Sequence, residues 1–240
     1  MDPTRRSLRG LLAIALLCAC SQALAATPVA AGQVLTLVLA EERAGGEDAR
    51  ATYFQGAFPL SQEAGMRELA SLRVEKVLLG DGAPQGVGLY AWPGREAAAG
   101  ARANPRYLAD YGPLRSAGWE QLQAVEMDVA APQAIDIDRG QPHTLALLWL
   151  RDRAAYDRYY AGTAALRERL GARTVLMLPA HRYETLTDGE VRPPDLVVLV
   201  RWASREAIDQ YPGDAQFLAR QEDFQQGVER LEWYRLGAWD

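Results

Sequence analysis

The chain has little of what catalytic and metal-binding sites are usually built from. Its two cysteines, Cys18 and Cys20, both lie within the first twenty residues, and His143 and His181 are the only histidines. Lys76 is the single lysine among 26 basic residues, and Asn104 is the single asparagine. From residue 26 onward there is no cysteine, which excludes disulfides, thiol catalysis and cysteine-ligated metals from that part of the chain. Two histidines without cysteine also leave a zinc site short of its usual ligands. No apolar run approaches the ~18 residues of a membrane-spanning helix. A net charge of −5 is a poor match for nucleic acid or for an anionic lipid surface.

What is present begins with an export segment. Arg5, Arg6 and Arg9 precede the apolar run from Leu11 to Ala19, and Ala23-Leu24-Ala25 supplies a small-x-small cleavage site. Two exits are open. Cleavage after Ala25 removes three arginines and Asp2, taking the net charge from −5 to −7. Alternatively, Leu17-Cys18-Ala19-Cys20 reads as a lipoprotein box with Cys20 acylated. Acyl chains contribute about 0.8 kcal/mol per buried methylene, so they would hold the chain at a membrane surface, its only expected membrane contact. Thr4-Arg5-Arg6-Ser7-Leu8 also has the form of a twin-arginine signal. All versions expect an exported protein: periplasmic, secreted or anchored through Cys20.

The rest of the chain is written twice. Tyr53-Phe54-Gln55-Gly56 aligns with Tyr159-Tyr160-Ala161-Gly162 at an offset of 106, which Gly65 and Gly171 keep. Trp92-Pro93-Gly94-Arg95-Glu96-Ala97 aligns with Trp202-Ala203-Ser204-Arg205-Glu206-Ala207 at 110, and Tyr107-Leu108-Ala109 matches Phe217-Leu218-Ala219 at the same offset. The change of offset places a lengthened loop at Thr187-Asp188-Gly189-Glu190.

After a mobile tether over 26–32, the pattern predicts one repeat over 33–129, a connector over 130–142 and a second repeat over 143–240. Each repeat reads strand, helix, strand, strand, helix, strand. The first helix is expected from Asp48 to Leu72 with an interruption near Pro59, and Arg173 to Tyr183 reads as one strand. Runs such as Leu196-Val197-Val198-Leu199-Val200 are apolar on both faces and need cover on both. The expected fold is therefore α+β: two β-α-β-β-α-β ferredoxin-like units closing face to face.

This order, with Trp202-Ala203-Ser204-Arg205-Glu206-Ala207 and the later Phe217-Leu218 pair, resembles the dimeric α+β barrel superfamily. Within it, the nearest resemblance is to bacterial domains of unknown function near the NIPSNAP and EthD-like families. The resemblance implies a pseudo-dimeric barrel within one chain. Known relatives include cofactor-free monooxygenases and heme enzymes, so it implies no single activity.

His181 is the candidate catalytic residue, since an imidazole facing a barrel interior could be a general base or a heme ligand. His143, at a strand start, reads as exposed or capping. Trp92, Trp149, Tyr183, Arg201 and Trp202 are candidate ligand contacts, the aromatics supplying apolar area at small entropic cost. Arg201 could pair with Glu184 or Glu232 around an acidic ligand, or form an ordinary cross-strand ion pair. Asn104 precedes Pro105 in a helix break, away from where a cofactor-free oxygenase commonly holds its asparagine. Gly80 to Gly88 reads as a hairpin, Asp136 to Gly140 as connector, and Ser204 as a helix N-cap.

Three functions stay open. The first is binding of a small, partly apolar molecule between the repeats, without a cofactor. The others are a barrel oxidoreductase using His181, with heme or none, and a structural envelope protein that self-associates.

Overall fold

A computed structural model describes residues 26–239; residues 1–25, on which the expected export signal and Cys20 fall, and Asp240 lie outside the described residues. The first repeat comprises β2 (Val34–Glu42), α1 (Glu47–Glu63), β3 (Arg67–Leu79), β4 (Gly86–Trp92), α2 (Arg95–Arg102), α3 (Gly112–Gly118) and β5 (Trp119–Asp128). It follows β1 (Thr27–Val29) and precedes β6 (Gln133–Ile135). The second repeat begins with β7 (His143–Leu150), α4 (Arg153–Gly162), α5 (Ala164–Arg169), β8 (Arg173–Leu178), β9 (Ala180–Thr185) and β10 (Gly189–Val191). It continues through β11 (Leu196–Arg201), α6 (Arg205–Gln210), α7 (Ala215–Leu218), α8 (Gln221–Gly227) and β12 (Val228–Gly237).

The two sheets have the same antiparallel order, β5-β2-β4-β3 and β12-β7-β11-β8. Their long second strands join them. β3 pairs with β4 through its first half and with β12 through its second. In the second repeat the corresponding strand is divided at Pro179, with β8 on β11 and β9 on β5. The eight strand positions thus close into a barrel through the β3–β12 and β9–β5 pairings. This is the α+β pseudo-dimeric barrel expected from the repeats.

One apolar core fills the barrel. Leu35, Leu37 and Leu39 from β2 meet Leu145, Leu147 and Trp149 from β7, with Val125, Met127, Leu176, Tyr183, Val197, Leu199, Tyr234 and Leu236 around them. Each sheet therefore buries its inner face against the other and its outer face under its own helices, which is why its strands read as continuous apolar runs.

Four local expectations are corrected. Residues 26–32 are not a free tether: Thr27–Val29 pairs with Gln133–Ile135, and Val29 packs into the core. α1 runs through Pro59 and ends at Glu63, because Ala57 is buried beneath it and Phe58 packs on Trp92 and Met66, offsetting one lost amide bond. The stop comes from Gly65, at φ +89°, with Gly171 at φ +66° in the second repeat. A Cβ at these sites would lie 2.6 Å from Pro93 and 2.7 Å from Ala203, so glycine is required twice by one architecture. His143 is fully buried rather than exposed, and burial pushes its imidazole down to about pKa 4.

Candidate functional site

The cleft expected between the repeats is occupied by the barrel core. The large cavity lies instead on the outer face of the first sheet, beneath α1, α2 and α3, with a volume of about 650 Å³. Phe54, Phe58, Met66, Trp92, Leu108 and Trp119 supply much of its apolar surface. Phe54 and Leu108 are exposed, which puts apolar surface in contact with solvent at the cavity. A smaller cavity of about 360 Å³ occupies the corresponding place in the second repeat.

One wall of the large cavity is charged, and it is made by both repeats. β9 crosses from the second repeat onto β5, placing Arg182 opposite Glu126 and Glu184 opposite Ala124. Glu126 is 3% exposed and is paired through Oε1 with Arg102; Arg182 Nη1 stands 3.5 Å from the same oxygen. Arg182 also donates to Glu184 at 2.6 Å, and Arg115 Nη1 donates to Glu184 at 3.1 Å. Burial alone would raise the Glu184 carboxyl; the two guanidinium groups outweigh it and hold the group below the usual carboxylate range. Above this wall the hydroxyls of Tyr53 and Tyr107 are 3.0 Å apart. Burial, more than the neighbouring phenol, pushes Tyr53 far up, so it stays protonated.

Superposing the repeats by strand pairing separates architecture from what is particular to one copy. Thr36 and Thr144 are equivalent, each accepting from the indole of Trp92 or Trp202, at 3.0 and 2.8 Å. Their partners across the next strand are Glu126 and Arg235, so those two positions correspond. By the same rule Ala124 corresponds to Trp233, and Gly88 to Val198. Continuing along the chain, Glu184 corresponds to Leu78, Tyr107 to Phe217 and Arg115 to Phe224. Apart from Glu126 and Arg235, which are both charged, the first cavity has small, polar or charged side chains where the second has bulky apolar ones. That substitution set opens the larger cavity and charges it.

The helical segment differs as well. Tyr111 lies over Gly56 and Arg220 over Gly162, an offset of 109, although Ala109 and Ala219 still keep 110. The first repeat therefore holds one extra residue here, and Tyr107–Tyr111 absorbs it as a π-helical turn. Such one-residue insertions are frequent at functional sites. Here the turn carries Tyr107, whose hydroxyl meets Tyr53.

The sequence candidates are dispersed by the structure. Trp92 lines the large cavity and Trp202 the small one, each with its indole bonded to an equivalent threonine. Trp149 and Tyr183 lie in the barrel core, their rings 5.9 Å apart. Arg201 pairs with Asp136 at 2.7 Å rather than with Glu184 or Glu232. His181 sits where the β5–β9 register skips, with Nε2 3.6 Å from Glu126 and Nδ1 3.4 Å from Asp128. Desolvation lowers its pKa despite both carboxylates, so the imidazole is neutral near pH 7. Of the candidates, Trp92 and His181 alone stand at or beside the charged wall. Glu184 entered the sequence reading only as a partner for Arg201, and Tyr53, Tyr107, Arg102, Arg115, Glu126 and Arg182 were not singled out as site residues by sequence. Positions where the two copies disagree would have marked several of them. Among the described residues no group of three or more His, Cys, Asp or Glu is arranged to hold a metal.

No family model matches the chain, and no curated protein sequence matches it. Solved structures do. An anthrone oxidase-like protein superposes with a TM-score of 0.57 at 12% identity, covering 87% of this chain and 94% of its own. Chlorite dismutase from Candidatus Nitrospira defluvii, solved with imidazole, superposes with a TM-score of 0.51 at 7% identity, covering 87% and 92%. At these identities the likeness is one of fold. The chain has the dimeric α+β barrel fold, with both halves of the barrel in one polypeptide.

Proposed function

We propose that the protein binds a small, partly apolar molecule in the cavity beneath the first repeat's helices. The observation that carries this reading is the asymmetry of the repeats: a shared frame is opened and charged at one cavity and filled by aromatic residues at the other. Within the charged wall Glu126 is buried between Arg102 and Arg182, and desolvating such a carboxylate costs several kcal/mol before pairing recovers it. The uncharged fluorescent probe N-phenyl-1-naphthylamine tests the reading. It should bind the intact chain with one strong site, and Ala124→Trp, which installs the second repeat's residue, should remove that site. Binding unchanged by Ala124→Trp would sink the proposal.

A second reading, oxidation of the bound molecule, is favoured by His181, a neutral imidazole beside Glu126 at the margin of the charged wall. His181 does not itself line the cavity, so in that role it would receive the bound molecule's proton through Glu126, which does, with dioxygen as the oxidant that carries an anthrone to the quinone and water. Anthrone, which names one structural neighbour, is a suitable first substrate. Oxygen uptake with anthrone that is lost in His181→Ala, with probe binding retained, is the expected outcome under this reading; no uptake by the intact chain removes it. Heme, raised by the family resemblance, does not fit the residues present. Neither histidine lines either of the two cavities, and burial keeps the phenols of Tyr53 and Tyr90 protonated. That leaves the large cavity the Met66 thioether and the Tyr107 phenol, which is already hydrogen-bonded to Tyr53.

Export belongs to the same proposal and rests on the residues from Arg5 to Ala25, with the mature chain free or held through Cys20. Kinship with the NIPSNAP and EthD-like families rests on the aromatic and small-residue blocks alone.

A further inference from the structure

The ligand's polar end can be specified, an inference that rests on the binding reading above. We infer that the cavity selects a monoanionic, otherwise apolar molecule, and that Tyr53, Tyr107 and Arg115 receive its acidic oxygen. The first argument is donor counting. Two phenols 3.0 Å apart share one proton between them, leaving the second hydroxyl proton to be donated elsewhere. Arg115 lines the same cavity and carries five N–H donors, more than its 3.1 Å bond to Glu184 takes up. Donors without acceptors call for an acceptor oxygen.

The second argument is charge. Within the cavity lining four guanidinium groups, Arg50, Arg102, Arg115 and Arg182, stand against three carboxylates, Glu42, Glu126 and Glu184; Glu190, 3.3 Å from Arg182 Nε, is 67% exposed and lies outside that lining. One positive charge is left for a ligand to neutralise, which a carboxylate or phenolate does and an ammonium group does not. The third is the repeat itself. Tyr53 has a tyrosine equivalent, Tyr159, but Tyr107 and Arg115 correspond to Phe217 and Phe224. In the second repeat the Tyr159 hydroxyl meets Tyr211 instead, 2.9 Å away, with aromatic rings around the pair. The scaffold thus accepts phenylalanine at both positions, so their polarity in the first repeat is a property of the site.

Calorimetric titration of the full chain with 2-naphthoate, methyl 2-naphthoate and 2-naphthylmethylammonium tests the inference. The acid should bind about tenfold or more tightly than either shape-matched analogue. Tyr107→Phe and Arg115→Phe place residues the other repeat already carries, and circular dichroism verifies their folding. Arg115→Met serves as a second variant that keeps the apolar stem. Each should weaken the acid more than the ester and reduce the preference to within about threefold. Equal affinity of the intact chain for acid and ester overturns the inference and leaves the binding reading standing. A preference that survives both the Tyr107 and Arg115 variants overturns the assignment of the oxygen's position. No binding of any of the three compounds removes both.

Discussion

The two repeats share glycines, tryptophan–threonine bonds and strand order, yet they treat the space under their helices differently. In the second, Trp233, Phe224, Phe217 and Val198 crowd it; in the first, the equivalent positions hold Ala124, Arg115, Tyr107 and Gly88. Gly88 has a consequence of its own. A Cβ there would stand 2.3 Å from the Tyr90 hydroxyl, so the missing side chain lets the Tyr90 ring lie flat along β4. Where two copies agree, the residue serves the frame. Where they disagree towards small and charged residues against a fold's apolar preference, the difference points to function.

The comparison can be strained from either side. Trp233→Ala should cost about 3–5 kcal/mol in urea unfolding, as removal of a packed aromatic does, and enlarge the second cavity. The reciprocal Ala124→Trp enters space that already exists and should cost less than about 1.5 kcal/mol. Comparable costs would show that the first cavity is closed in solution.

Next comes the charged wall. Glu126→Ala leaves Arg102 without its carboxylate partner, while Arg182 keeps Glu184, and should cost about 3 kcal/mol. Arg235→Ala, at the equivalent position, leaves Glu75 held by Arg205 and should cost about 1–3 kcal/mol. A reversed order would mean that the first repeat's wall is not specially buried.

A third effect belongs to the barrel rather than to either cavity. His143 has its folded pKa depressed from 6.5 to about 4, so the unfolded chain binds more protons between those values. Stability is then fully present above pH 6.5 and is lost as the pH falls towards 4, by about 3 kcal/mol in all. Urea midpoints measured across that range should flatten in His143→Leu relative to the parent; an unchanged slope contradicts the assignment.

The fold was legible because it was written twice. The 106 and 110 offsets, and strands apolar on both faces, were sufficient to bring two ferredoxin-like units into one barrel. The site was not legible, for two physical reasons. Strand pattern does not say which of two apolar faces is the barrel interior, and that choice decides whether an aromatic such as Trp149 is core or cavity wall. The charged wall also depends on β9 leaving its own sheet at Pro179 to lie on β5, a long-range pairing invisible in local pattern. His181 was found by rarity alone, and the same rule offered the buried core residue His143 equally.

The most direct measurement is a crystal structure of the chain soaked with 6-bromo-2-naphthoate, in which bromine locates the ligand by anomalous scattering. The account predicts one strong bromine peak beneath the first repeat's helices, with the carboxylate against Tyr53, Tyr107 and Arg115. A peak inside the barrel or beneath the second repeat, with the first cavity holding only water, would contradict it.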